Sequence, residues 1–243
     1  MPSPVPVANL PGFWRRFRVT PGAGWVRSEV EDDYHCMRVT LHHDGMIATR
    51  IEPELLRAPW TTCPGASAQL VETFTGVALA DFPARGDNPI NCTHLHDLAL
   101  LAAVHAADTQ PLVYDAQIAD PVDGLRRAEL RRDGRTVLAW TETAFRIVAP
   151  AELAGMTLDK LRPWIEAQDA PTQEAARLLR WANMIANGRL IPIEKQSDAT
   201  RMPSTCYSFQ PERKTIAKRV GVIRDFRKEQ TQPLAGCALH SAA

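Results

Sequence analysis

Residues 35–51 leave this chain the least choice of conformation. His35-Cys36-Met37-Arg38-Val39-Thr40-Leu41 alternates with period two, Asp44-Gly45 supplies a tight turn, and Met46-Ile47-Ala48-Thr49-Arg50-Ile51 returns. That pattern predicts an antiparallel hairpin. Successive strand side chains point to opposite faces, so His35, Met37, Val39 and Leu41 share one face and Cys36, Arg38 and Thr40 the other.

Further strands are expected at Phe13–Val19, ended by Pro21-Gly22, at Trp25–Val30 and at Pro111–Asp120. A second hairpin is expected from Leu125–Arg132, Asp133-Gly134 and Thr136–Val148. Helical spacing of apolar residues starts at Cys63 and runs to Phe74, with Ala66, Leu70, Val71 and Phe74 as its stripe. It resumes from Cys92 to about Ala107, then at Thr157–Gln168 and at Pro171–Asn187, where Gly188 is the stop. Cys206–Phe209 suggests an edge strand, and Pro211 to about Lys228 a basic amphipathic helix. The order implies an α+β fold, an antiparallel sheet with helices packed on one face. Residues 1–150 form the expected core domain and 151–243 a mainly helical C-terminal extension packed on it.

Charge narrows the partners. The 243 residues carry 28 Lys plus Arg against 28 Asp plus Glu, a formal charge of zero. Nucleic-acid binding draws its affinity from neutralising phosphates, so that class is excluded. No apolar run approaches the ~20 residues that span a bilayer, and the first residues lack the pattern of a signal peptide. Five cysteines without an export signal are expected to be thiols in a reducing compartment, the cytoplasm. A small-molecule substrate is the expected partner, and a homodimer is left open.

Cys63 and Cys92 each stand where a helix should begin. Pro64 suits the first helical position and leaves Cys63 as the N-cap, while Asn91 or Thr93 can cap the second helix. The positive end of a helix macrodipole favours the thiolate, the form that binds metal or attacks carbon. With His35 and His94, and with Asp32, Asp33 and His96 close by in sequence, these thiols offer donors for mononuclear zinc or iron. On a regular helix residues two apart point about 200° away from each other, so Cys92 and His94 share an ion only if Cys92 lies in cap geometry. Asp33 or the second histidine is the expected general base. Trp60 would wall a pocket, and Arg213 and Lys214 would clamp an anionic substrate group. Taken singly, each cysteine is more often a small core residue, His35 a satisfied core histidine, and the basic run a solvated face.

The stretch from Asp32-Asp33-Tyr34-His35 through Thr62-Cys63-Pro64-Gly65-Ala66 to Cys92-Thr93-His94-Leu95 resembles a bacterial family known as a domain of unknown function. The resemblance covers roughly residues 13–150 and is most specific at Cys92–Leu95. More distantly, the order of hairpin, cysteine-led helix and second cysteine-led helix is similar to NifU/IscU-type iron–sulfur scaffold proteins. By that resemblance Cys63 and Cys92 fall on two of the family's cysteines, His35 near its aspartate, Asp33 near its remaining cysteine and Asn91 on its histidine. It implies an iron–sulfur cluster. Two thiolates plus imidazole better suit a mononuclear ion with an open position. Three functions follow as expectations. One is a zinc or iron enzyme acting on a small aromatic or carboxylated substrate by hydrolysis or carbon–carbon lysis. The others are an iron–sulfur or metal carrier, and a metal-free cysteine enzyme.

Overall fold

The computed structural model describes residues 5–85 and 88–236. Its strands are β1 (Gly12–Gly22), β2 (Trp25–Glu31), β3 (Cys36–His43), β4 (Ala48–Arg57), β5 (Leu112–Ala119), β6 (Arg126–Arg132), β7 (Arg135–Thr143) and β8 (Arg146–Ala149). They form one antiparallel sheet in the order β4-β3-β2-β1-β5-β6-β7-β8, so two meanders run outward from β1. The α-helices are α1 (Ala66–Phe74), α2 (Thr93–Val104), α3 (Arg162–Glu166), α4 (Ala170–Ala186), α5 (Ile193–Gln196) and α6 (Pro211–Lys214). The α+β class is as the sequence implies. Among the described residues no helix is long and apolar enough to cross a membrane.

Two compact units emerge from the contacts, each discontinuous in sequence. One is drawn from residues 5–16, 113–191 and 225–235, the other from 17–112, 192–224 and 236.

In the unit of residues 17–112 and 192–224, α2 packs on β2 and β3, and α1 packs on β4. Val26 and Leu41, Ser28 and Val39, and Val30 and Met37 are register partners and line the face beneath α2. Ser28 Oγ donates to Leu98 O of α2 at 2.6 Å. The opposite face of this hairpin is also buried, because charge and hydroxyl pairs satisfy it. Arg18 Nε meets Glu29 at 2.6 Å, Arg38 Nε meets Glu29 at 3.7 Å, and Arg27 Nε donates to Thr40 Oγ1 at 3.1 Å. The Asp44-Gly45 turn forms as expected: the Asp44 carboxylate accepts from Met46 N at 2.9 Å and Ile47 N at 2.8 Å, and Gly45 takes φ 102°.

In the other unit α4 packs on β6 and β7. Asp169 caps α4, accepting from Thr172 N at 3.0 Å, and Ala175, Leu178, Leu179 and Ala182 form its buried stripe. The strand expected over Thr136–Val148 breaks into β7 and β8, because Ala144 and Phe145 adopt positive φ.

After residue 150 the sequence reading holds for α4 and departs from the structure at three other segments. Thr157–Gln168 divides into a 3-10 turn, Leu158–Lys160, and the short α3, restarted by Pro163 near its first turn. Cys206–Phe209 is not an edge strand but leads into a 3-10 turn at Tyr207–Phe209. The basic helix expected over 211–228 shrinks to α6, four residues long. Past it Lys218–Val220 lies along Pro59–Thr61, with Thr61 N donating to Lys218 O at 3.0 Å and Val220 N to Pro59 O at 2.9 Å. Ile216, Val220, Val222 and Ile223 are β-branched and favour extended backbone. Gly221 sits at φ 79° with room for no Cβ, which would fall 2.9 Å from Ala58 O.

Candidate metal centre

β2 and β3 are joined by the turn Asp32–His35, and this turn builds the centre. Asp32 Oδ1 accepts from Tyr34 N at 2.7 Å and His35 N at 2.9 Å, while Asp32 N donates to His35 O at 2.9 Å. A short carboxylate that bonds its own following amides is the residue such a turn selects. The same Oδ1 lies 3.0 Å from His35 Nδ1. A carboxylate only accepts, so the proton on Nδ1 points at Asp32.

His94 enters from the first turn of α2. Its ring stacks on His35 with centroids 3.9 Å apart and planes at 28°. The donor atoms of Asp32, His35 and His94 all lie within 4.8 Å of one another, and all three side chains are buried. Two imidazoles and a carboxylate are a donor set that zinc and ferrous iron accept.

Arg57 holds the turn in place. Its guanidinium donates to Asp32 O at 2.6 Å, Asp33 O at 2.8 Å and His35 O at 3.2 Å, and pairs with Glu31 at 3.1 Å. Arg224 joins it: its N donates to Asp33 O at 2.8 Å and its side chain meets Glu31 at 3.4 Å.

Of the donors named from sequence, His35 and His94 come together, and Asp32 rather than Asp33 supplies the neighbouring carboxylate. Asp33 is buried in the same turn and is tied through its carbonyl to Arg57 and Arg224. Cys63 and Cys92 do not belong to this group among the described residues. Cys63 opens a 3-10 turn, Cys63–Gly65, ahead of α1, and Thr62 rather than Cys63 holds its N-cap position. Cys92 itself is the N-cap residue of α2, where Asn91 or Thr93 was expected. The Asn91 amide is directed instead to Thr73 Oγ1 at 3.0 Å.

Neither thiol is activated. Burial pushes Cys63 upward against the lowering effect of Ser208, whose Oγ donates to its Sγ at 3.3 Å. Burial raises Cys92 to about 12, and the neighbouring Cys63 and Cys206 add to the shift. Desolvation of the charged form thus outweighs the helix-terminal field that was expected to favour thiolates. Cys206 carried no sequence argument of its own. The contact of Tyr207 N with Asn91 O at 2.8 Å brings it to the two helix-start thiols, and burial raises it to about 11. Cys237 lies outside the described residues.

The Cys206 shift has a testable sign. Its ordinary value is 9.0 and its folded value about 11, so its contribution is fully present below pH 9 and is lost as pH rises through about 11. Urea unfolding from pH 8 to 11 is expected to show the Cys206→Ala chain losing stability less steeply than the parent, by at most ~1.4 kcal/mol per pH unit. Parallel slopes would contradict it.

The expected substrate-binding residues are engaged with protein groups. Trp60 is buried with Cys63 and Ala199 and meets Phe209 edge to face at 5.7 Å. Arg213 lies 3.9 Å over the Tyr207 ring and pairs with Glu212 at 2.7 Å, and Lys214 Nζ donates to Met202 O at 3.4 Å. Arg219 lies 5.6 Å from the Tyr34 ring centre and 5.5 Å from that of Trp60. No protein-family model matches the chain, and no curated protein matches it.

Proposed function

We propose that Asp32, His35 and His94 hold a zinc or ferrous ion, and that the protein is a metal-dependent enzyme. Its substrate would be a small organic molecule, aromatic or carboxylated, opened by hydrolysis or carbon–carbon lysis. The observation that carries this reading is the convergence of two buried imidazoles and a buried carboxylate within 4.8 Å. A buried cluster of donors is what an ion repays. Three protein ligands leave coordination positions for water or substrate, and an ion there supplies Lewis acidity and an acidified water. Protein purified without chelator is expected to carry close to one equivalent of zinc or iron by elemental analysis. Less than about a tenth of an equivalent, after supplementation with both metals, would sink the reading.

A second reading, a carrier of iron–sulfur clusters or soft metal, is favoured by one observation. Cys206, half-buried, joins the buried Cys63 and Cys92, so three thiols gather where the sequence offered two. The likeness to NifU/IscU-type scaffolds belongs to this reading. Its sign would be visible absorbance after anaerobic reconstitution with iron and sulfide, lost in the Cys206→Ser chain. The raised thiols weigh against the third expectation, a resting thiolate nucleophile without metal.

A further inference from the structure

A cavity of about 440 Å³ opens in the unit of residues 5–16, 113–191 and 225–235. Its floor is one face of three strands. Trp14 and Arg16 come from β1, Asp115 and Gln117 from β5, and Arg131 from β6, where it is the register partner of Asp115. The segment 226–232 forms a wall, and from it Arg227 lies 4.4 Å over the Trp14 ring.

Among the residues that line this cavity, guanidinium groups outnumber carboxylates. Asp115 is committed to Trp14 Nε1 at 2.7 Å and to Arg16 at 2.8 and 3.1 Å. Glu129, outside the lining, meets Arg131 at 3.2 Å and also accepts from Thr136. Three guanidinium groups, Arg16, Arg131 and Arg227, line the site against one lining carboxylate, a set of groups suited to an anion. Gln117 adds an independent observation. The residue is 5% exposed, and its Oε1 has no hydrogen-bond partner among the described residues. A buried amide oxygen left without a donor invites one from a ligand.

We propose that this cavity binds a small organic anion. Its carboxylate or phosphate would lie between Arg131 and Arg227, and a hydroxyl or amino group beside that anion would donate to Gln117 Oε1. Guanidinium forks match both oxyanions, and the volume lies in the range of small-metabolite sites. The site shares no residue with the proposed metal centre.

Titration calorimetry at matched ionic strength tests it with two pairs of probes. Malate is set against succinate, which lacks the hydroxyl, and glycerol phosphate against inorganic phosphate. The hydroxylated member of at least one pair is expected to bind about tenfold more tightly than its partner, ~1.4 kcal/mol. The pair that binds identifies the oxyanion. Gln117→Leu is expected to erase that preference, and Arg131→Gln and Arg227→Gln to weaken binding about tenfold or more. Arg131 is 38% exposed on its side chain, so its variant is expected to fold. Arg177→Gln, on α4 and outside the cavity, and His94→Ala, which removes a proposed metal donor, are expected to bind as the parent does. Binding lost in His94→Ala would place the anion on the metal and overturn the proposal. So would equal affinity within both pairs, no binding by any probe, or unchanged affinity in both arginine variants.

Discussion

His94→Ala is expected to lower zinc affinity by at least about a hundredfold, beyond the 10- to 100-fold typical of losing an outer partner of a metal ligand. The reason lies in the donor count. With His94 gone, only the Asp32–His35 pair remains of the buried cluster, and two donors from one turn hold an ion weakly. His35→Ala is expected to match it. Asp32→Asn separates ligand from orienter: a fall no larger than about tenfold assigns Asp32 to positioning His35, and a larger one assigns it to the ion. Cys63→Ser and Cys92→Ser are expected to keep the metal, since neither thiol belongs to the cluster. Competition with a chromophoric chelator reads all five chains. Retention of zinc by His94→Ala together with loss in Cys92→Ser would reverse the assignment of the centre.

Arg57→Met should cost about 3–5 kcal/mol of stability, the usual penalty for removing one partner of a buried, hydrogen-bonded ion pair. Its guanidinium side chain is 13% exposed and Glu31 is 8% exposed. Removing it takes one cationic partner from the Glu31 carboxylate and a donor from three carbonyls of the Asp32–His35 turn. Arg224 retains its own contact to Glu31, which keeps the loss from being larger. Urea denaturation measures the change. Because Arg57 fixes the turn that carries two of the three donors, metal affinity is expected to fall with it even where the variant is fully folded. A loss below about 1 kcal/mol would mean that the turn stands without this clamp.

The hairpin was legible because its signal is local: a period-two alternation and an Asp-Gly turn need no distant partner. The same holds for α4, with its N-capping Asp169 and evenly spaced apolar stripe. His35 and His94 were legible as donor types, and the structure adds which carboxylate joins them. Asp32 and Asp33 are indistinguishable in composition. Asp32 is chosen because its side chain closes the turn onto the amides of Tyr34 and His35, which only backbone geometry reveals. The helix dipole at Cys92 was a sound local argument overruled by a nonlocal one, the burial of α2's first turn under the rest of the unit. Distance in sequence hid Cys206 and Ser208, which reach Cys63 across more than a hundred residues. The basic run misled for a related reason. Its arginines are spent on carbonyls, carboxylates and rings, so a charge pattern that resembled a solvated helix is an extended strap.

The interleaving of the two units bears on the order in which the protein matures. Residues 192–224 complete the unit that begins at residue 17, and 225–235 complete the one that begins at the N-terminus. A nascent chain emerging from the ribosome therefore holds both units unfinished until residues 192–235 have been translated, unlike the domain-by-domain order usual in synthesis. Until then the Asp32–His35 turn lacks Arg224, and Cys63 lacks Ser208, so the centre would be assembled only as that segment closes on it.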